Sequence, residues 1–485
     1  MSVAYARLAT VTDAEPSLRL PTAAAEPAFS AEDLVGLTGG RLLARSARPI
    51  RHAAVDSRQV RPGSLFVALP GERTDGHAHV SDAVERGAAA ILVTRPIADL
   101  TADVTVIRVV DGLAALAAVA TGWRRRFDPL VVGVTGSIAK TSTKEAVAAV
   151  LSRRFRTLRS EGNRNNEVGL PLTVLDLGPE HEAAVLEMGM YVGGEIADLA
   201  RIARPSIGVV TAVQAVHLSR IGTLEAIEQA KGELLEALPP DGTAILNADD
   251  PIVRRMGGRT SARALTYGFA DDADVGAEAI RSAGLAGMTL TLRSPRGSIL
   301  VSIPTLGRLS VHNALAAAAV GIAAGLTLPE IAAGLRDGWS APHRVQVVAT
   351  GGPTLLDDTY NASPGSVVAA LQVLADLPGR RIAVLGEMLE LGEGHEEGHR
   401  AVGEAAAEIV DRLVVVGEAA SPIADGACAA GLDPARVTVV PDGDAALDHL
   451  RSRLRDGDLV LIKASRGIAL DELVVALRTE FGPPA

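Results

Sequence analysis

The chain has 485 residues, of which 48% are hydrophobic, 22% charged and 2% aromatic, and its net charge is −11. This length exceeds what one core holds, and about three domains are expected. The acidic balance argues against nucleic acid as the main partner, because contacts with phosphates require clustered Lys and Arg. One cysteine, Cys428, excludes an internal disulfide framework and a cysteine zinc site, and it favours the reducing cytosol.

The chain carries no pattern of a membrane or secreted protein. Residues 1–28 lack the basic start and apolar run of a secretory signal, and we expect them to form a loose, flexible extension. The longest apolar stretch, residues 314–326, is too short to cross a bilayer and predicts a buried helix. We expect a cytoplasmic monomer that has neither nucleic acid nor a membrane as its partner.

The hydrophobic pattern divides the rest of the chain into three α/β units. In residues 29–111 short apolar runs alternate with turns, which predicts a small first domain. Residues 112–338 begin with strand and helix in strict turn, which predicts a mostly parallel sheet covered on both faces. Within this domain, residues 274–305 change to a period of two and predict an antiparallel ribbon. A fresh alternation after RDGWSAPHR predicts a third domain of nucleotide fold at residues 339–485.

The stretch GVTGSIAKTSTKE, residues 133–145, resembles a phosphate-binding loop. Such a loop needs inward backbone N–H groups, a helix N-terminus, a lysine for the outer phosphates and a hydroxyl for magnesium. Here an apolar strand precedes the loop and a helix pattern follows it. The residues predicted to bind ATP are Gly133, Thr135, Gly136, Ser137, Ala139, Lys140, Thr141 and Ser142.

Ala139 stands where the strict pattern has glycine. The difference matters only if the backbone there has positive φ or approaches a phosphate closely. A left-handed conformation costs a non-glycine residue about 1–2 kcal/mol, whereas a β-carbon that clashes with a phosphate oxygen is worse. The sequence leaves both possibilities open.

Polar residues also follow the next two strands. Glu187 ends the strand in LEMGM, and His217 lies in the loop after VVTAV. Because parallel sheets place ligands at the carboxyl ends of their strands, we expect these side chains to meet Lys140 and Thr141. Imidazole is an unusual magnesium ligand, and His217 alone would be interpreted as a capped loop histidine.

Several longer motifs then make the chain resemble the Mur ligase family, which uses ATP to join amino acids to the peptidoglycan precursor. The likeness covers residues 30–480 and is greatest to the members that add D-Ala-D-Ala to UDP-N-acetylmuramoyl-tripeptide. It implies a three-domain architecture with a central P-loop parallel-sheet domain and a C-terminal Rossmann-like domain. The motifs are DSRQVRPGSLFVALPGERTDGH, EGNRNNEVGLPLTVL, EMGMYVGGEIADLARIARP, DDTYNASPGSVVAAL and RIAVLGEMLELGEGHEEGHRAVG.

The resemblance implies a two-step reaction and the residues that serve it. ATP phosphorylates the terminal carboxylate of the tripeptide, and the incoming amine then displaces phosphate from the acyl phosphate. By resemblance, Lys140 contacts the β and γ phosphates, Thr141 and Glu187 hold Mg²⁺, and His217 helps a second metal. Lys231 matches a lysine that the family carbamylates to make a metal-binding anion. Lys140, His217 and Lys231 are thus the predicted catalytic residues.

The resemblance also predicts how the domains bind their substrates. Asn313 matches an adenine-contacting asparagine, while Arg344 and Asp358 reach ATP when the third domain swings closed about a hinge near residues 339–343. The candidates for the uridine nucleotide are Ser57, Arg58, Thr74, Asp75, Gly76 and His77. Those for the peptide substrates are Asn163, Asn165, Asn166, Tyr360 and Asn361.

Four further positions depart from the family pattern. Leu309 and Ser310 replace the usual His and Asn, Ala464 replaces a glycine, and Ser219 stands where an acidic residue is common. Two alternatives therefore stay open: a related ligase with other substrates, and a non-catalytic paralogue that binds nucleotide or precursor. A plain P-loop kinase or GTPase is disfavoured, because the chain has no guanine-specificity motif.

Overall fold

The computed structural model describes residues 27–71, 74–97, 102–214 and 223–483. Strands in these ranges form four sheets, arranged in chain order as three α/β units. The predicted α/β class is confirmed.

The first sheet belongs to the N-terminal unit and is mixed. Its order is β1-β5-β4-β3-β2, with β2 to β5 parallel and β1 antiparallel at the edge. A helical turn at Gly76–His79 runs directly into α2. The elements are α1 (Ala31–Thr38), β1 (Arg41–Ala44), β2 (His52–Ala54), β3 (Ser64–Val67), α2 (Val80–Glu85), β4 (Ala90–Val93) and β5 (Thr105–Arg108).

Helix α3 (Gly112–Arg124) joins the first unit to the second. It begins at Asp111, whose carboxylate accepts hydrogen bonds from the backbone of Leu113 at 2.8 Å and Ala114 at 3.1 Å. Its buried residues, among them Leu116 and Trp123, lie in one core that runs from the first sheet into the central sheet. The two units are thus packed together by shared apolar burial.

The central sheet is fully parallel, with the order β11-β10-β9-β6-β8-β7. Strand β6 lies between β8 and β9, so the loop after β6 emerges at the carboxyl edge beside the ends of both neighbours. The strands are β6 (Leu130–Thr135), β7 (Thr157–Arg159), β8 (Ala183–Glu187), β9 (Ile207–Val210), β10 (Thr243–Asn247) and β11 (Arg263–Tyr267). The helices are α4 (Lys140–Leu151), α5 (Gly169–Leu175), α6 (Glu195–Ala203), α7 (Leu224–Glu236) and α8 (Pro251–Arg255).

The predicted antiparallel addition to this unit is confirmed as a three-stranded sheet, β12 (Gly276–Ser282), β13 (Met288–Ser294) and β14 (Gly297–Ile303). Helices α9 (Gly307–Ala323) and α10 (Leu328–Asp337) follow it. Most of the apolar stretch predicted as a buried helix lies in α9, and its residues 314–322 are buried. In the described part of the chain, no helix combines the length and apolar character needed to cross a bilayer.

The third unit has a sheet of order β15-β16-β20-β17-β18-β19, parallel except for β15 at the edge. Apolar cores cover both of its faces. The strands are β15 (Gln346–Ala349), β16 (Thr354–Asp357), β17 (Arg381–Gly386), β18 (Arg412–Val416), β19 (Val437–Val440) and β20 (Leu459–Lys463). The helices are α11 (Pro364–Ala375), α12 (His395–Ala407), α13 (Pro422–Ala429), α14 (Gly443–Arg451) and α15 (Leu470–Phe481).

Candidate active site

The loop between β6 and α4 has the backbone of a phosphate cradle. Gly136 has φ of +151°, and a β-carbon there would lie 1.9 Å from the Thr211 hydroxyl oxygen, so only glycine fits. The same hydroxyl donates to the carbonyl of Ile138 at 2.6 Å and fixes the loop from the neighbouring strand end. The N-terminus of α4 stands directly behind the loop, where unpaired N–H groups favour an anion.

Ala139, the residue before the lysine, is in the left-handed region with φ of +64° and ψ of +2°. Its carbonyl accepts the first hydrogen bond of α4, from the backbone of Thr143 at 2.9 Å. One of the two possibilities left open by the sequence is therefore realised, because the position requires positive φ. Alanine there carries a backbone cost of about 1–2 kcal/mol that glycine would not.

Lys140 folds over the loop that it follows. Its ammonium donates to the carbonyl of Gly136 at 2.7 Å. Desolvation lowers the pKa of Lys140, the Glu187 carboxylate opposes this shift, and the charge of Arg344 adds to it. A phosphate in the cradle would restore a counter-charge to this buried cation.

Glu187 ends β8 and is held in place by two polar contacts. Its Oε1 accepts a hydrogen bond from Asn165 Nδ2 at 2.8 Å, and its backbone N–H donates to Ser160 Oγ at 3.1 Å. The residue is 2% exposed, and its Oε2 has no hydrogen-bond partner among the described residues. A buried carboxylate oxygen without a partner is unfavourable and fits a site that a cation completes.

The donor set at this point suits Mg²⁺. Magnesium is commonly bound by one or two carboxylates, with waters and substrate phosphates as its other ligands. Glu187 and Thr141 line the same cavity and would supply a carboxylate and a hydroxyl. No cluster of three His, Cys, Asp or Glu side chains suited to a metal occurs in the described ranges. His217 and Ser219 lie outside the described residues.

Lys231 on α7 is a second lysine of the cavity wall, and it is 3% exposed. Burial holds its pKa well below the usual value of 10.5, and the positive charge of Lys140 lowers it further. The amine therefore loses its charge at a lower pH than the amine of a surface lysine does. An uncharged amine is the nucleophilic form that carbamylation by CO₂ requires.

The third domain contributes Arg344 to the phosphate loop. Arg344 Nη2 donates to Thr141 Oγ1 at 3.3 Å, and its guanidinium lies 4.1 Å from the centroid of the Tyr360 ring. Its Nε is buried and without a hydrogen-bond partner in the described part of the molecule. The guanidinium is thus positioned between domains, and its buried Nε donor is left for a ligand.

Asp358 forms an ion pair with a lysine that the sequence analysis missed. Lys463 Nζ lies 2.6 Å from Asp358 Oδ2 and donates to the carbonyl of Asn361 at 2.7 Å. Burial raises the pKa of Asp358, although Lys463 and Arg344 both oppose the shift. Lys463 has a visible signal in the sequence, because it ends the buried strand β20 just before the SRG turn.

The helix α9 lines the opposite side of the same space. Asn313 is 6% exposed, and its Oδ1 accepts a hydrogen bond from Thr143 Oγ1 at 3.1 Å. Leu309 is 50% exposed and faces the cavity, while Ser310 bonds back to the carbonyl of Leu306 at 2.6 Å. At these two positions, which depart from the family pattern, Leu309 therefore gives the cavity an apolar wall and the Ser310 hydroxyl is hydrogen-bonded to the backbone.

These elements enclose one cavity of about 1350 Å³ between the domains. Typical small-ligand pockets hold about 300–1,000 Å³, so the space suits a nucleotide together with a second substrate. The predicted residues on its wall are Gly136, Ser137, Ala139, Lys140, Thr141, Ser142, Asn163, Asn165, Asn166, Glu187, Lys231, Asn313, Arg344, Asp358, Tyr360 and Asn361.

Gly133 and Thr135 were also predicted to bind ATP, and they lie inside β6 rather than on the cavity wall. A β-carbon on Gly133 would lie 2.8 Å from the Leu234 side chain. Thr135 Oγ1 donates to the carbonyl of Met188 at 2.8 Å. Both residues support the strand beneath the loop, because the inward faces of a central strand are filled by packing.

The predicted uridine set lies apart from this cavity, in the N-terminal unit. Arg58 is held by Asp56 at 2.7 Å and keeps most of its side chain exposed. The buried Ser57 bonds to Asp82, which contributes to lowering the pKa of that carboxyl. Thr74 Oγ1 lies 2.9 Å from His79 Nε2, so the two predicted loops meet at α2.

His77 is engaged within the protein at both ring nitrogens. Its Nδ1 lies 2.7 Å from Asp75 Oδ1, and its Nε2 accepts a hydrogen bond from the backbone of Thr94 at 3.0 Å. Asp75 also pairs with Arg95 at 2.7 Å. Gly76 is required between them, because a β-carbon there would lie 2.8 Å from the backbone of Leu69. These contacts shape the loop that offers Thr74 and the exposed edge of Asp75.

The geometry defines a nucleotide-dependent enzyme assembled from three domains, and sequence comparison gives its class. Residues 49–124 match the Mur ligase family catalytic domain, residues 134–321 the Mur ligase middle domain, and residues 343–466 the Mur ligase glutamate ligase domain. The chain belongs to the Mur ligase family.

Several similar relatives and solved structures are D-alanyl-D-alanine-adding ligases. A UDP-N-acetylmuramoyl-tripeptide–D-alanyl-D-alanine ligase (MurF) of Mycobacterium tuberculosis is 39% identical, with 91% of this chain and 96% of the relative covered. MurF from Acinetobacter baumannii matches in structure with a TM-score of 0.84 and 30% identity, over 94% of this chain and 99% of that chain. MurF from Thermotoga maritima in complex with ADP gives a TM-score of 0.78 and 29% identity, over 89% of this chain and 98% of that chain. The family resemblance stated from the motifs is confirmed.

Proposed function

We propose that this protein is a cytoplasmic, ADP-forming ligase that adds D-Ala-D-Ala to UDP-N-acetylmuramoyl-tripeptide in peptidoglycan precursor synthesis. The observation that carries the proposal is the shared cavity. The phosphate loop and the loop that carries Asn163, Asn165 and Asn166 both line it. So do two cations of the third domain, Arg344 and Lys463. The names of its MurF relatives supply the substrates.

The first step makes an acyl phosphate. An oxygen of the terminal carboxylate of the tripeptide attacks the γ-phosphorus of ATP, and the bond from that phosphorus to the β-phosphate oxygen breaks, which releases ADP. Such a transfer depends on positioning and on cations near the phosphoryl oxygens. Lys140 and Arg344 lie where they would supply these charges. Mg²⁺, held by Glu187 and Thr141, would add neutralisation of the phosphates.

The second step forms the amide. The amine of D-Ala-D-Ala attacks the acyl carbon, the bond from this carbon to the phosphate oxygen breaks, and the amine loses a proton. Asn163, Asn165 and Asn166 would bind the peptide groups of the tripeptide without adding charge. Tyr360 and Asn361, on the third-domain side of the cavity, would border the dipeptide. Ser57, Arg58, Thr74 and Asp75 would bind the uridine nucleotide in the N-terminal unit.

Lys231 would serve as an anion after carbamylation. Its buried amine has a pKa far below 10.5, which favours the uncharged form that reacts with CO₂. The product carries one negative charge beside Lys140 and would relieve the repulsion between the two lysines. A carbamate there would add a second anionic ligand for metal ions, beside Glu187.

The non-catalytic alternative has one observation in its favour, the strained Ala139 of the phosphate loop. A binding-only protein, however, has no need of the unpartnered Glu187 oxygen or of a buried Lys231 whose pKa is lowered. A ligase with other substrates would use the same residues and would differ only in which substrates start the turnover of ATP. The two alternatives and the proposal therefore separate in one assay.

The test is the release of ADP and phosphate with ATP, Mg²⁺, the muramoyl tripeptide and D-Ala-D-Ala, with each component omitted in turn. The proposal requires release that depends on both peptide substrates, together with a ligated product of the summed mass less water. A Lys140→Met variant controls for contaminating ATPases. No release from wild type but release from Ala139→Gly would favour the non-catalytic protein, and ATP turnover triggered only by other amines would favour the second ligase.

A further inference from the structure

The backbone on both sides of Arg344 is in an unusual conformation. His343 has φ of +60° and Val345 has φ of +49°. A positive φ is uncommon for non-glycine residues and is a genuine outlier for a β-branched one such as valine. Such residues persist only where the surrounding structure over-determines them, and they cluster at ligand clamps. The turn at residues 343–345 is therefore held by something outside itself.

What holds this turn is the end of strand β16. His343 Nδ1 donates to Asp357 Oδ2 at 2.8 Å, and the Tyr360 backbone donates to the His343 carbonyl at 3.1 Å. The Val345 backbone donates to Asp358 Oδ1 at 3.2 Å. Of these contacts, the bond between His343 and Asp357 is the one that depends on the identity of the strained residue's side chain.

Asp357 is a rigid anchor for this bond. Its side chain is 4% exposed. Its second oxygen accepts hydrogen bonds from Thr359, from the hydroxyl at 2.7 Å and from the backbone at 3.2 Å. An anchored carboxylate fixes the orientation of the imidazole, and the imidazole thereby stabilises the turn at residues 343–345.

The consequence of the turn is the direction of Arg344. Its guanidinium stacks on Tyr360 and donates to Thr141 of the phosphate loop, with Nε buried and unpartnered among the described residues. We infer that His343 is a positioning residue of the ligase: through Asp357 it pins the left-handed turn that aims Arg344 at the phosphates of ATP. This inference rests on the proposed function and assigns a role to a residue that does not itself line the cavity.

Three substitutions at His343 separate its contributions. His343→Gly removes the backbone strain and also the bond to Asp357, so the turn is released. His343→Asn keeps a residue that tolerates left-handed φ and a side-chain donor at the place of Nδ1. His343→Ala keeps the strain and loses the bond. Ala469→Gly is the matched control, because it relieves a left-handed alanine with φ of +56° elsewhere in the third domain.

The measurements are the KM and kcat for ATP, the Kd of a non-hydrolysable ATP analogue, and thermal melting as the check on folding. The inference expects His343→Gly and His343→Ala to raise the KM and the analogue Kd about tenfold, the loss expected for one charge-assisted contact. The KM for the tripeptide should stay unchanged. The KM for ATP and the analogue Kd of His343→Asn should stay within about threefold of the wild-type values. Those of Ala469→Gly should equal the wild-type values.

A double variant gives the decisive comparison. If His343 acts through Arg344, the double variant His343→Gly/Arg344→Ala should bind the analogue no more weakly than Arg344→Ala alone. Additive losses would overturn the inference, as would wild-type analogue binding by His343→Gly. Because analogue binding is measured without turnover, a wild-type protein that binds the analogue but does not ligate would overturn the proposed function and not this inference.

Discussion

Arg344 Nη2 lies 3.3 Å from Thr141 Oγ1, so a cation of the third domain touches the first turn of the helix behind the phosphate loop. Arg344→Ala should lower kcat/KM for ATP by about 10- to 100-fold, because a hydrogen bond to a charged group contributes about 1.5–3 kcal/mol. Arg344→Lys should not restore it, since an ammonium lacks the planar guanidinium that stacks on Tyr360. Arg126→Ala, which removes an arginine stacked on Phe29 of the N-terminal unit, is the control. Equal kinetics for Arg344→Ala and wild type would contradict the assignment.

We expect substitution of Ala139 by glycine to increase both the stability of the central domain and its activity with ATP. Relief of the left-handed alanine gains about 1–2 kcal/mol, while the greater freedom of glycine in the unfolded chain costs about 0.4–1 kcal/mol. Ala139→Gly should therefore stabilise the central domain by up to about 1.5 kcal/mol and raise kcat/KM for ATP. Denaturant unfolding and ATP kinetics check this. Ala279→Gly, at a left-handed alanine of β12 with φ of +50°, should affect stability alone.

The lowered pKa of Lys231 should make the free energy of unfolding depend on pH. Its folded-state pKa lies well below 10.5, so between that pKa and 10.5 the unfolded chain binds more protons than the folded one. The free energy of unfolding should accordingly rise with pH across this window in bicarbonate-free buffer. Lys231→Met should remove this slope, stabilise the protein at pH 7 and abolish ligation.

A second buried lysine is the control for that prediction. Lys144 donates to the carbonyl of Ser160 at 2.6 Å and pairs with Glu145 at 2.8 Å. Lys144→Met should destabilise the protein, because it leaves these partners unsatisfied. Destabilisation by Lys231→Met at pH 7 would show that the amine has a partner that this account lacks.

The buried pair of Asp358 and Lys463 should be strongly coupled. Lys463→Met leaves a buried carboxylate without its main partner and should destabilise the third domain by about 3–5 kcal/mol. Adding Asp358→Asn should recover a large part of this loss, which a double-mutant cycle in urea measures. The exposed pair of Arg86 and Asp82 should show coupling of at most about 1 kcal/mol. Additive effects at Asp358 and Lys463 would contradict the pairing.

Local patterns predicted those parts of the site that lie next to each other in the chain. The apolar strand, Gly136 and Lys140 follow one another within a few residues, so the phosphate loop was visible in the sequence. The conformation of Ala139 was not, because an alanine gives no sign of positive φ and the loop around it imposes one. The same holds for His343.

Contacts between residues far apart in the chain could not be predicted from local sequence patterns. Lys463 is far along the chain from Asp358, and only the parallel register of β16 and β20 brings the two together. Arg344 and Asp358 were assigned from the family resemblance. Their distances from the phosphate loop depend on how the third domain packs against the central domain. The hinge near residues 339–343 and the domain boundaries stay predictions, as do the roles of His217.

The most direct test of the ligase mechanism follows oxygen. The tripeptide is prepared with both oxygens of its terminal carboxylate labelled with ¹⁸O, and the phosphate released during ligation is analysed by mass. Attack of the carboxylate on the γ-phosphorus, followed by attack of the amine on carbon, leaves one carboxylate oxygen in the phosphate, so each phosphate should carry one ¹⁸O. Ligation that releases unlabelled phosphate would show that no acyl phosphate forms in this cavity.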